Sequence, residues 1–315
     1  MGIIKKIKDK IKPTDEQGRP IEKIVDRENG LIYHVVEREF YDAQGKLKKG
    51  KSLIKVEDNS REKKALIAKI PDGVIYIDEG VFCNNQGIVK VEVPASVCGI
   101  GEQAFYECKE LRQVEIEKGS NLDVIGKDAF CFSKIESIVL PSSLRYINGG
   151  AFVACRNLKQ VEIEEGSQLK KIDERAFAGS GIEKIKLPAS LEDLGKSAFR
   201  SCKDLKQVEI EEGSQLKKID KMAFAESGIE KIKLPASLEY VRSCAFALCE
   251  RLEQVVLEGT TTTIARDAFY KCESLPKTDG RRFIETAEGR GISLPKDEEI
   301  TNEAPKFDWG GSRDY

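Results

Sequence analysis

LKQVEIEEGSQLKKID, from Leu158 to Asp173, returns letter for letter from Leu205 to Asp220, and IEKIKLPASLE, from Ile182 to Glu192, returns from Ile229 to Glu239. Both copies are offset by 47 residues. A fixed period of this kind marks a solenoid, whose units are too small to bury their own apolar face and become stable by stacking on their neighbours. The remainder of the chain then reads as further units, caps or a tail.

Working outward from the duplication, nine coils can be cut, beginning at Ala65, Ile88, Leu111, Ile135, Leu158, Ile182, Leu205, Ile229 and Leu252. From the third to the eighth, lengths alternate between 24 and 23 residues. The short form, IEKIKLPASLEDLGKSAFRSCKD, has apolar residues at positions 1, 4 and 6, a spacing that predicts a brief strand with alternate side chains facing inward. The long form replaces LPASL with IEEGSQL, where Gly166 or Gly213 supplies backbone freedom. One phenylalanine recurs in every coil: Phe82, Phe105, Phe130, Phe152, Phe177, Phe199, Phe224, Phe246 and Phe269. Stacked in register, these rings predict a continuous apolar spine.

Three residues beyond the ring comes a small residue: Cys108, Ser133, Cys155, Ser180, Cys202, Ser227, Cys249 or Cys272. Cysteines at a repeat position read as buried packing thiols. Ligands on a single ladder line up along an axis instead of surrounding a point, so no metal is expected. Strands stack about 4.8 Å apart, so only Cys249 and Cys272, in neighbouring coils, lie within bridging range, and an odd count of nine cysteines without a secretory signal favours reduced thiols.

The recurrence of LPxSL, AF and AFxxC together, in IEKIKLPASLEDLGKSAFRSCKDL, IVKVEVPASVCGIGEQAFYECKEL and IESIVLPSSLRYINGGAFVACRNL, resembles the BspA-type leucine-rich repeat, also called the Treponema pallidum type. The resemblance covers residues 65–274. It implies an α/β solenoid, a leucine-rich-repeat horseshoe of about nine coils with a parallel sheet on one face. It also implies binding to proteins or host surfaces without catalysis. The chain departs from the secreted members of that family in showing neither an export signal nor a surface anchor, and a cytoplasmic location is expected.

Strand positions 3 and 5 should point away from the core. In the long coils they are Gln113 with Glu115, Gln160 with Glu162, and Gln207 with Glu209; in two short coils they are Lys184 with Lys186, and Lys231 with Lys233. Stacking therefore predicts alternating acidic and basic rungs, Glu162, Lys186, Glu209 and Lys233, that attract at strand spacing and present little net field. Ser137 and Val139 interrupt the rungs in the fourth coil, Val256 in the ninth and Ile67 in the first. These residues together form the candidate binding face for a protein partner.

Residues 1–64 carry 17 Lys and Arg against 12 Asp and Glu. Ile3, Ile4, Ile7 and Ile11 share one arc of a helix opposite five lysines, a basic amphipathic segment over residues 1–12 that suits either docking on the body of the protein or a membrane surface. Beyond the loop at Pro13 to Pro20, three β-rich runs separated by Asn29-Gly30 and Ala43-Gln44-Gly45 predict a small β-rich cap for the first coil. Residues 275–315 lose the AF signature. Phe283 and Ile292 are expected to close the last coil, and the acidic run from Asp297 to Glu299 to open a flexible tail. In that tail Phe307 and Trp309 suit either a short linear contact or folding back on the solenoid.

The composition argues against other classes. The only histidine, His34, has no serine or cysteine neighbour, and neither a phosphate loop nor a zinc motif is present, so no cofactor and no catalysis are expected. Nucleic acid is disfavoured because the coils carry a net charge of -5. A protein-binding scaffold is the reading that remains, with a membrane-surface scaffold through residues 1–12 as its alternative.

Overall fold

The computed structural model describes residues 14–41, 47–58, 65–279 and 281–300. Each coil contributes a strand of four to six residues to a front sheet: Leu66–Lys69, Ile88–Val93, Gln113–Ile116, Ser137–Leu140, Gln160–Ile163, Lys184–Leu187, Gln207–Ile210, Lys231–Leu234 and Gln254–Leu257. All nine pair in parallel with their neighbours. Position 4 and, in the short coils, position 6 are buried; Ile185 and Leu187, for example, are at most 2% exposed. The expected nine-coil stack and its inward-facing positions are therefore present.

The α part of the α/β solenoid that the resemblance implies is nearly missing. The only helix among the described residues is Asp297–Ile300. In place of helices the chain forms a second parallel ladder on the back, from Val74–Ile77 and then two-residue strands such as Asp193–Leu194 and Lys218–Ile219. A third strip joins the coils at the phenylalanine turn. In the second coil the N–H groups of Gln103, Phe105 and Glu107 donate to the carbonyls of Lys127, Ala129 and Cys131 at 2.8, 2.7 and 2.9 Å. The same three donors recur coil after coil, always from one coil to the next toward the C-terminus. To aim them, the residues two before and two after the ring adopt left-handed φ, as with Gln103 (53°) and Glu107 (53°), or Ser197 (56°) and Ser201 (58°). Non-glycine residues rarely take that conformation. With helix excluded at this turn, 23 or 24 residues suffice to close each coil.

The rings stack as expected. Eight successive centroid separations run from 4.8 to 5.3 Å with interplanar angles of 12° or less. Nearly parallel rings touch at about 3.5 Å, so a 5 Å spacing requires each ring to slide sideways over the next, the offset arrangement that their quadrupoles favour. Beside them the thiols of Cys108, Cys155, Cys202, Cys249 and Cys272 donate to the phenylalanine carbonyl of the preceding coil at 3.0 or 3.1 Å. Burial pushes the Cys108 and Cys155 thiols up to about 12, which suits packing and not reactivity. Cys249 and Cys272 are free thiols. The serine of the LPxS-type turn ties each of the second, fourth, sixth and eighth coils to the one before it, since Ser96, Ser143, Ser190 and Ser237 donate to backbone carbonyls of the preceding coil at 2.7 to 2.9 Å.

The two ends are closed differently. At the N-terminus β1 (Glu22–Asp26), β2 (Leu31–Tyr41) and β3 (Leu47–Asp58) form the expected antiparallel meander, and β3 extends the back sheet by pairing in parallel with Val74–Ile77. Leu31, Tyr33, Val35 and Leu53 complete the core there. Arg38 on β2 pairs with Asp78 and lies over the Tyr76 ring, 5.4 Å from its centroid. At the C-terminus, Arg281–Thr286 extends the front sheet beside Gln254–Leu257, and Gly291–Ser293 folds back on it. Ile284, at 1% exposure, fills the core position expected of Phe283, a one-residue shift that turns the aromatic ring outward, while Ile292 packs where expected. The acidic run is not part of a loose tail. Asp297 grips the guanidinium of buried Arg282 through two bonds of 2.7 and 2.8 Å and accepts the Lys271 N–H, and Glu299 pairs with Arg281. Residues 1–12 and the tail with Phe307 and Trp309 lie outside the described residues.

Phe199→Ala removes one ring from the middle of the spine and is expected to cost about 3–5 kcal/mol by urea unfolding, with Phe199→Leu costing less. A second expectation concerns pH. Burial pushes the Asp78 carboxyl up to about 6, against the pull of Arg38. Between about pH 4 and 6 the folded chain thus holds a proton that the unfolded chain has lost, so this group favours the fold at low pH and that contribution declines as pH rises through 6. In urea unfolding at pH 4.5 and 7, Asp78→Asn should remove that part of the slope.

Candidate functional site

Parallel, in-register pairing places position 3 over position 3 and position 5 over position 5 along the front sheet. Ser137, Val139, Gln160, Glu162, Lys184, Lys186, Gln207, Glu209, Lys231 and Lys233 are all exposed on this one face. Val139 is the most exposed large apolar residue on it, at 46%. Val256 is half-buried, because the closing strand lies beside it with Glu285 as its register partner, and Ile67 is half-buried as well. Among the described residues Val139 is thus the one fully exposed apolar side chain at these positions, with the half-buried Ile67 and Val256 toward the two ends.

The charged rungs do not pair as expected. Lys186 and Glu209 are register partners, yet Lys186 reaches past Glu209 to Glu211 at 2.8 Å, and Lys233 reaches Glu258 at 2.6 Å. Glu209 accepts the Gln207 amide instead. The reason lies at strand position 7, which reading the strand alone misses. Glu117, Glu164 and Glu211 each accept a backbone N–H from the turn of the preceding coil, at Ala95, Ser142 and Ala189, at 2.7 to 2.9 Å. Held in place by that bond, the carboxylate is a better target for a long lysine than a free neighbour on the rung. The recurrent glutamate of IEEGSQL was the available signal, since it follows the strand by a constant number of residues in every long coil.

This arrangement gives the fourth coil its character. Val139 occupies the position taken by Lys186 and Lys233 in the sixth and eighth coils. Glu164, the counterpart of Glu211 and Glu258, consequently has no lysine, and neither it nor Glu162 forms an ion pair among the described residues. Beside Val139 a groove of ≈ 850 Å³ crosses the first four coils, lined among others by Asp72, Glu92, Glu115 and Glu117. Lys90 offsets two of these carboxylates, pairing with Glu92 at 3.0 Å and Glu115 at 2.8 Å. The face is thus balanced from the sixth coil onward and acidic around one exposed valine before it.

The other candidate, His34, is buried on β2 with its Nε2 3.3 Å from Glu57. No described helix is long and apolar enough to cross a membrane.

Lys186 and the Ala189 N–H hold the Glu211 carboxyl below its ordinary value, the lysine bond being the larger cause. Its contribution is complete above the ordinary carboxylate range and is lost as pH falls through the lowered value. Glu211→Ala should destabilise by about 1 kcal/mol at neutral pH after allowance for solvent screening, and by less at pH 3, as read from urea midpoints.

The model of the BspA type leucine rich repeat region matches this chain in six copies, over residues 62–180 and 170–286. Among solved structures the chain is similar to the pneumococcal vaccine antigen PcpA, with 23% identity over 81% of this chain and 68% of that one and a TM-score of 0.57. It is also similar to a leucine-rich repeat protein from Bacteroides ovatus, with 21% identity over 80% and 69% and a TM-score of 0.54. At such identities the likeness is one of fold. No match was found among curated proteins. The coil signature, the nine-turn stack and a family model covering most of its length agree, and the chain belongs to the BspA-type leucine-rich repeat family.

Proposed function

We propose that this chain is a non-catalytic scaffold that binds a protein partner on the front sheet, around Ser137 and Val139. The observation that carries this reading is the single break in an otherwise charged and largely self-paired face. An exposed valine surrounded by carboxylates loses water at little cost when a complementary surface covers it, whereas the lysine–glutamate rungs beyond it would have to be broken. A repeat array suits this role because it fixes many short strands in one plane, giving a partner a rigid surface. An odd number of cysteines, seven of them buried, suits a reducing compartment, and a cytoplasmic location is part of this proposal.

The test is affinity capture from the native lysate with three forms: wild type, Val139→Lys on the front sheet, and Tyr240→Lys on the back ladder. A partner lost with Val139→Lys and kept with Tyr240→Lys is the expected result, provided that both variants unfold cooperatively. Retention by Val139→Lys with loss from Tyr240→Lys would move the binding surface to the back of the solenoid.

A further inference from the structure

We infer that the partner presents an extended segment with lysine or arginine two residues from an apolar side chain, and that this segment supplies the cation which the fourth coil lacks. The inference rests on the front sheet being the binding face and names the chemistry of what binds there.

Its basis is the internal logic of the repeat. In the sixth and eighth coils a lysine at strand position 5 crosses to a carboxylate at position 7 of the next coil, Lys186 to Glu211 at 2.8 Å and Lys233 to Glu258 at 2.6 Å. Glu164 is held in the same place as Glu211, its Oε2 accepting the Ser142 N–H at 2.9 Å as Glu211 accepts that of Ala189. The cation site at Glu164 is therefore built, and the residue that would fill it is Val139. Glu162 stands beside it, the register partner of Val139 on the next strand. Toward the N-terminus the groove adds Glu117 and Asp72, while Glu115 and Glu92 are already paired with Lys90.

An extended chain laid across these strands alternates its side chains at a period of two, so a cation and an apolar residue at neighbouring same-face positions fall about 7 Å apart. That is the scale on which an apolar cover for Val139 and a cation for Glu164 are both needed. A purely acidic segment would be repelled, and a purely apolar one would bury carboxylates without compensation. Charge complementarity thus selects one class of occupant over the others.

The experiment titrates the full chain against short fluorescent peptides and reads anisotropy. The first probe repeats Lys-Thr-Val-Thr, which sets lysine and valine on one face of an extended chain, the second has glutamate for lysine, and the third has serine for valine. Binding of the first alone, weakened by added salt, is expected. Val139→Lys fills the site from within, and should weaken the first peptide by roughly tenfold or more while leaving the unfolding midpoint unchanged or raised. Lys186→Val should do the reverse, opening an equivalent gap at Glu211 and adding a second bound peptide per chain. Equal binding of the glutamate probe, equal binding of the serine probe, or no second equivalent with Lys186→Val would overturn the inference. If Val139→Lys releases the captured partner but no lysine peptide binds wild type, the front sheet remains the binding face, and the inference fails because the partner has other chemistry. Should Val139→Lys not fold, the Lys186→Val stoichiometry decides alone.

Discussion

Every feature of this protein answers to the spacing of parallel strands, about 4.8 Å from one coil to the next. At that rise each coil must return to the same point after one turn, or the hydrogen bonds of the front sheet, the back ladder and the phenylalanine strip fail together. The rings make the constraint visible, since their centroids follow the same repeat to within about half an ångström. A side chain placed correctly in one coil is thus placed correctly in all, and a sequence can lengthen the array by copying itself. The 47-residue duplication is such a copy. It added two more charged rungs and left the fourth coil, with its valine, outside the copied stretch.

The ends had to be solved separately, because a stack of open strands exposes pairing edges at both. The meander at the N-terminus continues the back sheet, whereas the closing strands at the C-terminus continue the front sheet. As a result the front face runs on past Val256 into the closing strands and, among the described residues, starts at the first coil. That asymmetry places the acidic groove near one end of the solenoid, beside Lys69 and Asp72, and not at its middle.

How far the sequence could be read depended on whether a residue's job repeated. The spine, the inward strand positions and the buried thiols were legible because the same residue type returned at the same place. Val139 was legible as an interruption, although what it interrupts, a lysine bound for Glu164, was not. That bond joins position 5 of one coil to position 7 of the next, and so escapes any reading of a single strand. The back ladder escaped because two residues, as in Asp193–Leu194, are too few to show a period. The left-handed positions on either side of the ring escaped for another reason. Gln103, Asp128, Arg175, Ser197, Met222 and Cys244 fill most of the places before the ring and glycine stands only at Gly80, Gly150 and Gly179, so no recurrent glycine marks them. The shift from Phe283 to Ile284 is the one-residue slip to which short strands are most open, since it exchanges the two faces. The acidic run from Asp297 to Glu299 looked solvated by composition and is held instead by two arginines that lie close in space but 15 or more residues away in the chain.

The strip at the phenylalanine turn has an electrostatic consequence. Its inter-coil bonds all run one way, with N–H groups directed toward the C-terminus and carbonyls toward the N-terminus. Peptide moments aligned head to tail add along an axis, as they do in an α-helix, whereas in the two β ladders they largely cancel. The solenoid therefore carries a macrodipole along its own length, positive at the ninth coil, even though the chain as a whole is nearly neutral. Asp297, accepting the N–H of Lys271 at the end of the strip, sits where an anion sits at the start of a helix. Each added coil lengthens this dipole, so duplication changes the field at the two ends of the array as well as the surface between them.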